Sequence, residues 1–180
     1  IESIVSFINL YDSIYLKKIS GKNHKIVFKG KFSKNIKKKK KFINLFKLLE
    51  KNNFLNNHKF QVVIIKNIPQ QSGLGGGSMN AASLIDFFIK RKILKLSKNE
   101  LTKLTSEIGS DVILGIKPTH SILYSNNKIK KFYKKINLHT LVVKPDFGCS
   151  TKYIYSKVKL FSKPKFTKPK QTMFQAKYLK

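Results

Sequence analysis

Residues 66–83 read K-N-I-P-Q-Q-S-G-L-G-G-G-S-M-N-A-A-S, a short loop that holds four of the chain's nine glycines. The run before it, Phe60, Gln61, Val62, Val63, Ile64 and Ile65, is rich in β-branched residues and has the length of a buried strand. Asn67, Ile68 and Pro69 break that strand. Beyond the glycines, Ala81, Ala82, Leu84, Ile85, Phe88 and Ile89 recur at helical spacing, which predicts a helix over 78–92 starting at Ser78 or Met79. The glycines therefore join a strand to a helix N-terminus. Lacking a Cβ, they let backbone N–H groups crowd round an oxygen-rich anion, and the helix adds roughly half a positive charge and unpaired donors at its first turn. The ligand this arrangement suits is a phosphate.

Other loops of this kind fail on spacing. A Walker loop needs Gly-Lys-Ser/Thr at its end, but Ser78 and Met79 follow Gly77. The dinucleotide fingerprint needs a glycine three residues beyond Gly75, and a nucleophile elbow needs one two residues beyond Ser78; neither is present.

Working outward, residues 2–10 read as a strand, 13–16 with Ile19 as a second and 25–28 as a third. Phe42, Ile43, Leu45, Phe46, Leu48 and Leu49 mark a helix that ends near Asn52 and Asn53. Ser97-Lys98-Asn99-Glu100 is a capping box that opens a helix to about Ile108. Residues 121–124, 129–132 and 139–143 alternate as strands. A short helix over 152–158 is capped by Ser150 or Thr151, the stretch 160–171 is a low-complexity tail, and another helix begins near Thr172. The order is that of an α+β protein with strands first and helices on one side.

Eight acidic residues are available to do chemistry. Asp12, Glu50, Asp86, Glu100 and Glu107 lie where solvated surface roles suffice. Asp111 differs, standing in a Gly-Ser-Asp-Val turn beside apolar residues, where it either caps the next turn or serves as a functional carboxylate. Ser78 either caps its helix or offers its hydroxyl and N–H to a phosphate or the Mg²⁺ shell, two roles that are compatible.

The pattern Pro69-x-x-x-Gly73-Leu74-Gly75-Gly76-Gly77-Ser78-x-Asn80-Ala81-Ala82 resembles the phosphate-binding motif of the GHMP small-molecule kinases. The resemblance implies the GHMP kinase N-terminal domain, a mixed sheet like that of a ribosomal-protein domain with helices on one side. It places this domain over 1–146, with its first strand missing, and the start of a ferredoxin-like C-terminal domain over 147–180. It implies ATP bound by Pro69, Gln70, Gln71, Ser72, Gly73, Leu74, Gly75, Gly76, Gly77, Ser78 and Met79, with Mg²⁺, and Asp111 as the catalytic base. Gln70, Gln71 and Ser72 replace smaller residues and imply a narrower lip. The family often has a second serine where Met79 stands and a proline where Ile113 stands.

The triple glycine and Asn-Ala-Ala point to the branch that phosphorylates the 2-hydroxyl of a cytidine-diphosphate-linked methylerythritol (CDP-methylerythritol) in non-mevalonate isoprenoid, or terpenoid, biosynthesis. Residues 145–155, P-D-F-G-C-S-T-K-Y-I-Y, resemble that branch's substrate element. Thr151 would approach the substrate, and Tyr155 would either stack on the cytosine or sit in the core of its helix. A lysine and a Tyr-His pair of the family would precede Ile1, and a second glycine-rich motif would follow Lys180. With Ile1 in place of a starting Met, both ends read as cut, and the chain alone is expected to be inactive. A kinase of the same superfamily acting on a mevalonate-like or sugar alcohol is the alternative within enzymes.

The formal net charge is +30. Such a charge raises the reading of a ribosome-associated or nucleic-acid-binding protein. Yet Arg91 is the lone arginine, and lysine is spread along the chain with abundant Ile, Asn and Phe, the profile of a translated AT-rich genome rather than of a base reader. The basic run 37–41 reads as a solvated connection or as a polyanion-binding tail. One cysteine, Cys149, excludes an intramolecular disulfide, and His24, His58, His120 and His139 have no zinc-type spacing. No stretch has the roughly 20 apolar residues of a membrane span, and the expectation is a cytoplasmic protein with no specific nucleic-acid or membrane partner.

Overall fold

The computed structural model describes residues 2–34, 36, 40–126, 128–133, 139–148, 150–164, 166 and 169–175. In chain order the elements are β1 (Ser3–Val5), β2 (Ser13–Ile19), β3 (Lys25–Lys29), α1 (Lys40–Lys51), β4 (Lys59–Ile65), α2 (Gly76–Lys90), α3 (Lys98–Ile108), β5 (His120–Leu123), β6 (Ile129–Phe132) and α4 (Thr151–Ser156), with 3-10 turns at Val112–Gly115 and Gln171–Phe174. They fall into two compact units, residues 10–116 and residues 1–9 with 117–180.

In the 10–116 unit the sheet order is β2-β4-β3, with β4 antiparallel to β2 and parallel to β3. A parallel pair needs a crossover, and α1 supplies it. Along β4 burial alternates with the pleat: Phe60, Val62 and Ile64 are buried, while Gln61, Val63 and Ile65 face the other way. Val62 lies opposite Leu16 and Ile26, so one face of all three strands meets the helices. On α1, Phe42, Leu45, Phe46 and Leu49 follow the i, i+3, i+4, i+7 stripe and are buried. Phe88 of α2 is fully buried between Phe46 and Phe60, with ring centroids at 6.4 and 5.1 Å. The capping box of α3 has both arms: Glu100 N–H donates to Ser97 Oγ at 3.2 Å, and Ser97 N–H donates to Glu100 Oε2 at 2.8 Å.

The other unit carries the antiparallel sheet β1-β5-β6. Phe174 is fully buried there, 5.2 Å from the His120 ring and 5.5 Å from Phe132. The polar tail thus ends in an anchor, and Thr172 lies in a 3-10 turn rather than an α-helix. Residues 176–180, where that helix would continue, lie outside the described residues. Two strand expectations are corrected. The strand over 2–10 shrinks to Ser3–Val5, because only those residues find a partner, in β5. Residues 139–143 form no strand: Leu141 and Val143 are 90% and 79% exposed, and alternation without a neighbouring edge makes no ladder.

Glu50 is not a simple solvated carboxylate, since its Oε1 receives His24 and the Lys59 ammonium. His24 stacks on Phe46 at 4.0 Å, and its Nδ1 accepts the Phe60 N–H at 3.0 Å, which leaves Nε2–H to donate to Glu50 at 3.0 Å. Burial holds the His24 pKa below its ordinary 6.5, against the upward pull of Glu50. Below that value the unfolded chain takes up the proton more readily, so the stability His24 contributes is present above about pH 6.5 and is lost as pH falls through the lower folded value. Urea unfolding at pH 7.5 and pH 5 should show a loss on acidification, and His24→Gln should flatten that slope.

Candidate active site

The phosphate-type loop leaves β4 through Lys66, Asn67 and Ile68, and one carboxylate holds this exit. The Asp12 side chain is closed from solvent. Its Oδ1 accepts the N–H of Asn67 at 2.8 Å and of Ile68 at 2.9 Å, while its Oδ2 takes the Asn80 amide at 2.7 Å and the Lys66 ammonium. Burial pushes this carboxyl up, but Lys66, the Ile68 N–H, Asn80 and the Asn67 N–H together hold it below 3.8. Asp12 is therefore a structural hub and not a solvated turn residue. Asp86 is also largely buried and pairs with Lys90 at 2.7 Å.

Within the loop the backbone turns left-handed at Gln71 (φ 53°), Gly73 (φ 74°) and Gly75 (φ 64°). Gln70 donates to the carbonyls of Phe32 at 3.3 Å and Lys34 at 3.0 Å, and Ser72 Oγ donates back to the Pro69 carbonyl at 2.9 Å. Helix α2 starts at Gly76, two residues before the earliest expected start, because Gly75 in the left-handed conformation is itself the N-cap. Ser78 is accordingly inside the first turn and does not cap. Its N–H and that of Met79 bond the Gly75 carbonyl at 2.8 and 3.0 Å, whereas the N–H groups of Gly76 and Gly77 have no partner among the described residues.

The Ser78 hydroxyl accepts a hydrogen bond from Lys41 Nζ at 2.8 Å. Lys41 lies in the first turn of α1 and is half-buried, so the last residue of the basic run is only partly open to solvent; residues 37–39 lie outside the described residues. Burial lowers the Lys41 pKa from 10.5, and the negative charge of Asp111 offsets part of that shift. Asp111 is exposed and its side chain makes no capping bond; Ser110 Oγ donates to its Oδ1 at 3.1 Å. The capping reading of Asp111 is thus excluded. Glycines bring these pieces together. A Cβ on Gly109 would stand 3.2 Å from Lys41 Nζ, and one on Gly115 would stand 2.7 Å from Ala82 Cβ and 2.9 Å from Met79 Sδ. The turn that carries Asp111 is seated directly on α2, and the Met79 side chain faces that turn.

Residues 38–120 match the model of the GHMP kinases N terminal domain. The chain is 59% identical over its whole length to 4-diphosphocytidyl-2-C-methyl-D-erythritol kinase of Pelagibacter ubique (strain HTCC1062), covering 64% of that relative. Residues 38–120 thus belong to the GHMP kinase N-terminal domain family. A protein of the same name from Petrotoga mobilis (strain DSM 10674 / SJ95) is 32% identical over 119 residues, 66% of this chain and 44% of that one. The chain therefore spans less than two thirds of the length of these curated relatives. A solved structure titled "Crystal structure of 4-(cytidine 5'-diphospho)-2C-methyl-D-erythritol kinase" superposes with a TM-score of 0.51 at 20% identity, over 67% of this chain and 41% of that one, and shows the same fold.

The 10–116 unit thus brings together the loop from Pro69 to Met79, Ser78 and, through Lys41, Asp111. Thr151 and Tyr155 belong to the other unit, where Thr151 opens α4 and Tyr155 is half-exposed and not part of a core. Cys149 lies outside the described residues. Two site residues escaped the sequence reading. Lys41 does carry a local signal: a lysine in a helix's first turn opposes the dipole, and α1 has no acidic residue there to offset it. Asp12 carries none, because its four donors come from positions 54 to 68 residues away.

Asp12→Ala should cost about 3–5 kcal/mol in urea unfolding, because it leaves the Lys66 ammonium buried and uncompensated. With its folded pKa depressed, the contribution of Asp12 is present above 3.8 and disappears as pH falls below that value, so the gap between wild type and variant should narrow in acid. Gly115→Ala should destabilise by about 1–3 kcal/mol through overpacking against Ala82 and Met79.

Proposed function

We propose that the protein carrying this chain is an ATP-dependent kinase that phosphorylates the 2-hydroxyl of CDP-methylerythritol. The observation that carries this reading is the 59% identity over the entire chain to a relative of that name, joined to a loop whose free N–H groups stand across Lys41 from an uncapped carboxylate. Residues 69–79 bind the triphosphate, with the Gly76 and Gly77 N–H groups on phosphate oxygens. Asp111 accepts the proton of the acceptor hydroxyl as its oxygen bonds to the γ-phosphorus and the bridging bond to ADP breaks. The products are ADP and a phosphate monoester.

Among the described residues there is no cluster of three or more metal-ligating side chains. Asp111 is the carboxylate that would help hold a Mg²⁺ brought in with the nucleotide, and the ion would supply neutralisation of phosphate charge. On the acceptor side, Thr151 approaches the substrate and the half-exposed Tyr155 ring stacks on cytosine, an interaction worth about 1–3 kcal/mol per base. Residues 1–146 then form the nucleotide domain and 147–180 the beginning of the substrate domain. A reaction that draws on ATP and a nucleotide-linked alcohol is compatible with a cytoplasmic location.

In the full-length protein, ATP should be turned over to ADP when CDP-methylerythritol is supplied and not with homoserine or mevalonate. Asp111→Asn should lower kcat by about 10²–10⁴-fold, the range of general base catalysis. Equal turnover of the other alcohols, or full activity of Asp111→Asn, defeats the assignment. RNA binding with a steep salt dependence and no ATP turnover would favour the polyanion reading instead.

A further inference from the structure

Lys41 has more hydrogen-bonding capacity than the protein uses. An ammonium carries three donors, and one of them is taken, by Ser78 Oγ at 2.8 Å. Among the described residues no carboxylate lies within ion-pair distance of Lys41, although the side chain is half-buried. The Asp111 charge acts on it from further away, and burial still wins, leaving the ammonium less stable than in water. A half-buried cation with two open donors and no counter-ion is costly unless an anion completes it. Its placement at a helix N-terminus adds to that cost. Lys40, its neighbour in the same turn, is exposed and bears no such burden.

The missing anion has a defined place. Lys41 Nζ sits between Ser78, in the first turn of α2, and the turn at Gly109 that leads to Asp111; a Cβ on Gly109 would meet the ammonium at 3.2 Å. A phosphoryl group that travels from the glycine loop to a hydroxyl deprotonated by Asp111 passes between those two points. Resting on the kinase reading above, we propose that Lys41 is a catalytic residue, whose ammonium contacts the terminal phosphoryl group of ATP and stabilises the charge on its equatorial oxygens during transfer. It is distinct from the lysine that the family resemblance places before Ile1. As the phosphoryl group arrives, the two open donors are filled and the Coulomb deficit of the half-buried cation is removed.

The test uses the full-length protein with ATP and CDP-methylerythritol. Lys41→Met should lower kcat by about 100-fold, of the order seen when one charge-stabilising donor is removed, with a smaller change in KM for ATP. Lys41→Arg should recover at least about tenfold of that loss by restoring the cation. Lys40→Met should behave as wild type. Because removing an unpaired half-buried cation relieves strain, Lys41→Met should also unfold at the same or a higher urea concentration, which a purely structural role would reverse. Lys41→Met that keeps kcat within about threefold of wild type, or whose loss tracks lowered stability and is not recovered by arginine, overturns the proposal. A wild-type protein inactive on this acceptor would overturn the substrate assignment while leaving Lys41 open to a second measurement. In that case, fluorescent ATP and AMP analogues separate the two ideas: Lys41→Met weakening ATP but not AMP supports the phosphate contact, and equal affinity for both proteins sinks it.

Discussion

A single carboxylate, that of Asp12, holds both ends of the glycine loop. Where β4 gives way to the loop, the N–H groups of Asn67 and Ile68 lose their sheet partners, and an unpaired buried donor costs about 1–3 kcal/mol. Asp12 takes both, and through its other oxygen it also grips Asn80 in α2 and the ammonium of Lys66. The strand exit and the helix are thus tied to one point at the head of β2. With its ends secured, the segment between them can keep three left-handed residues, including the non-glycine Gln71.

The second constraint is close approach. Gly115 lets the turn after α3 rest on Met79 and Ala82, where any side chain would collide, and Gly109 leaves room for the Lys41 ammonium. Three elements distant in sequence, the start of α1, the start of α2 and the turn after α3, therefore meet around Ser78. Two positively polarised helix ends and a lysine are set there against one exposed carboxylate, an imbalance that suits the anionic ligand of the proposed function.

The core of the 10–116 unit is a sheet covered on one face by α1, α2 and α3, and in the proposed function the phosphate chemistry stays within this unit. Acceptor recognition, in the proposed function, uses Thr151 and Tyr155 from α4, a short helix with a serine cap and exposed aromatic residues. On that reading, the part shared by all phosphoryl transfers would sit on rigid secondary structure and the part that distinguishes alcohols would be carried elsewhere.

Local chemistry settles much of this protein from the chain alone. The strand–glycine–helix order, the amphipathic stripe of α1 and the Ser97–Glu100 capping box are encoded by neighbours within a few residues, and all three form. Helix α2 begins two residues before the start its apolar spacing predicts, because Gly75 and not a polar side chain serves as the cap. Residues 139–143 show the opposite failure, since alternating apolar residues become a strand only if an edge is there to pair with. The fates of Asp12, Lys41 and Asp111 depended on contacts across tens of residues: charge in a turn, in a lysine run and in a loop looks alike along the chain. Only the folded arrangement decides which charges lose water and which partners they meet, because desolvation and Coulomb energy depend on distance in space and not on distance in sequence.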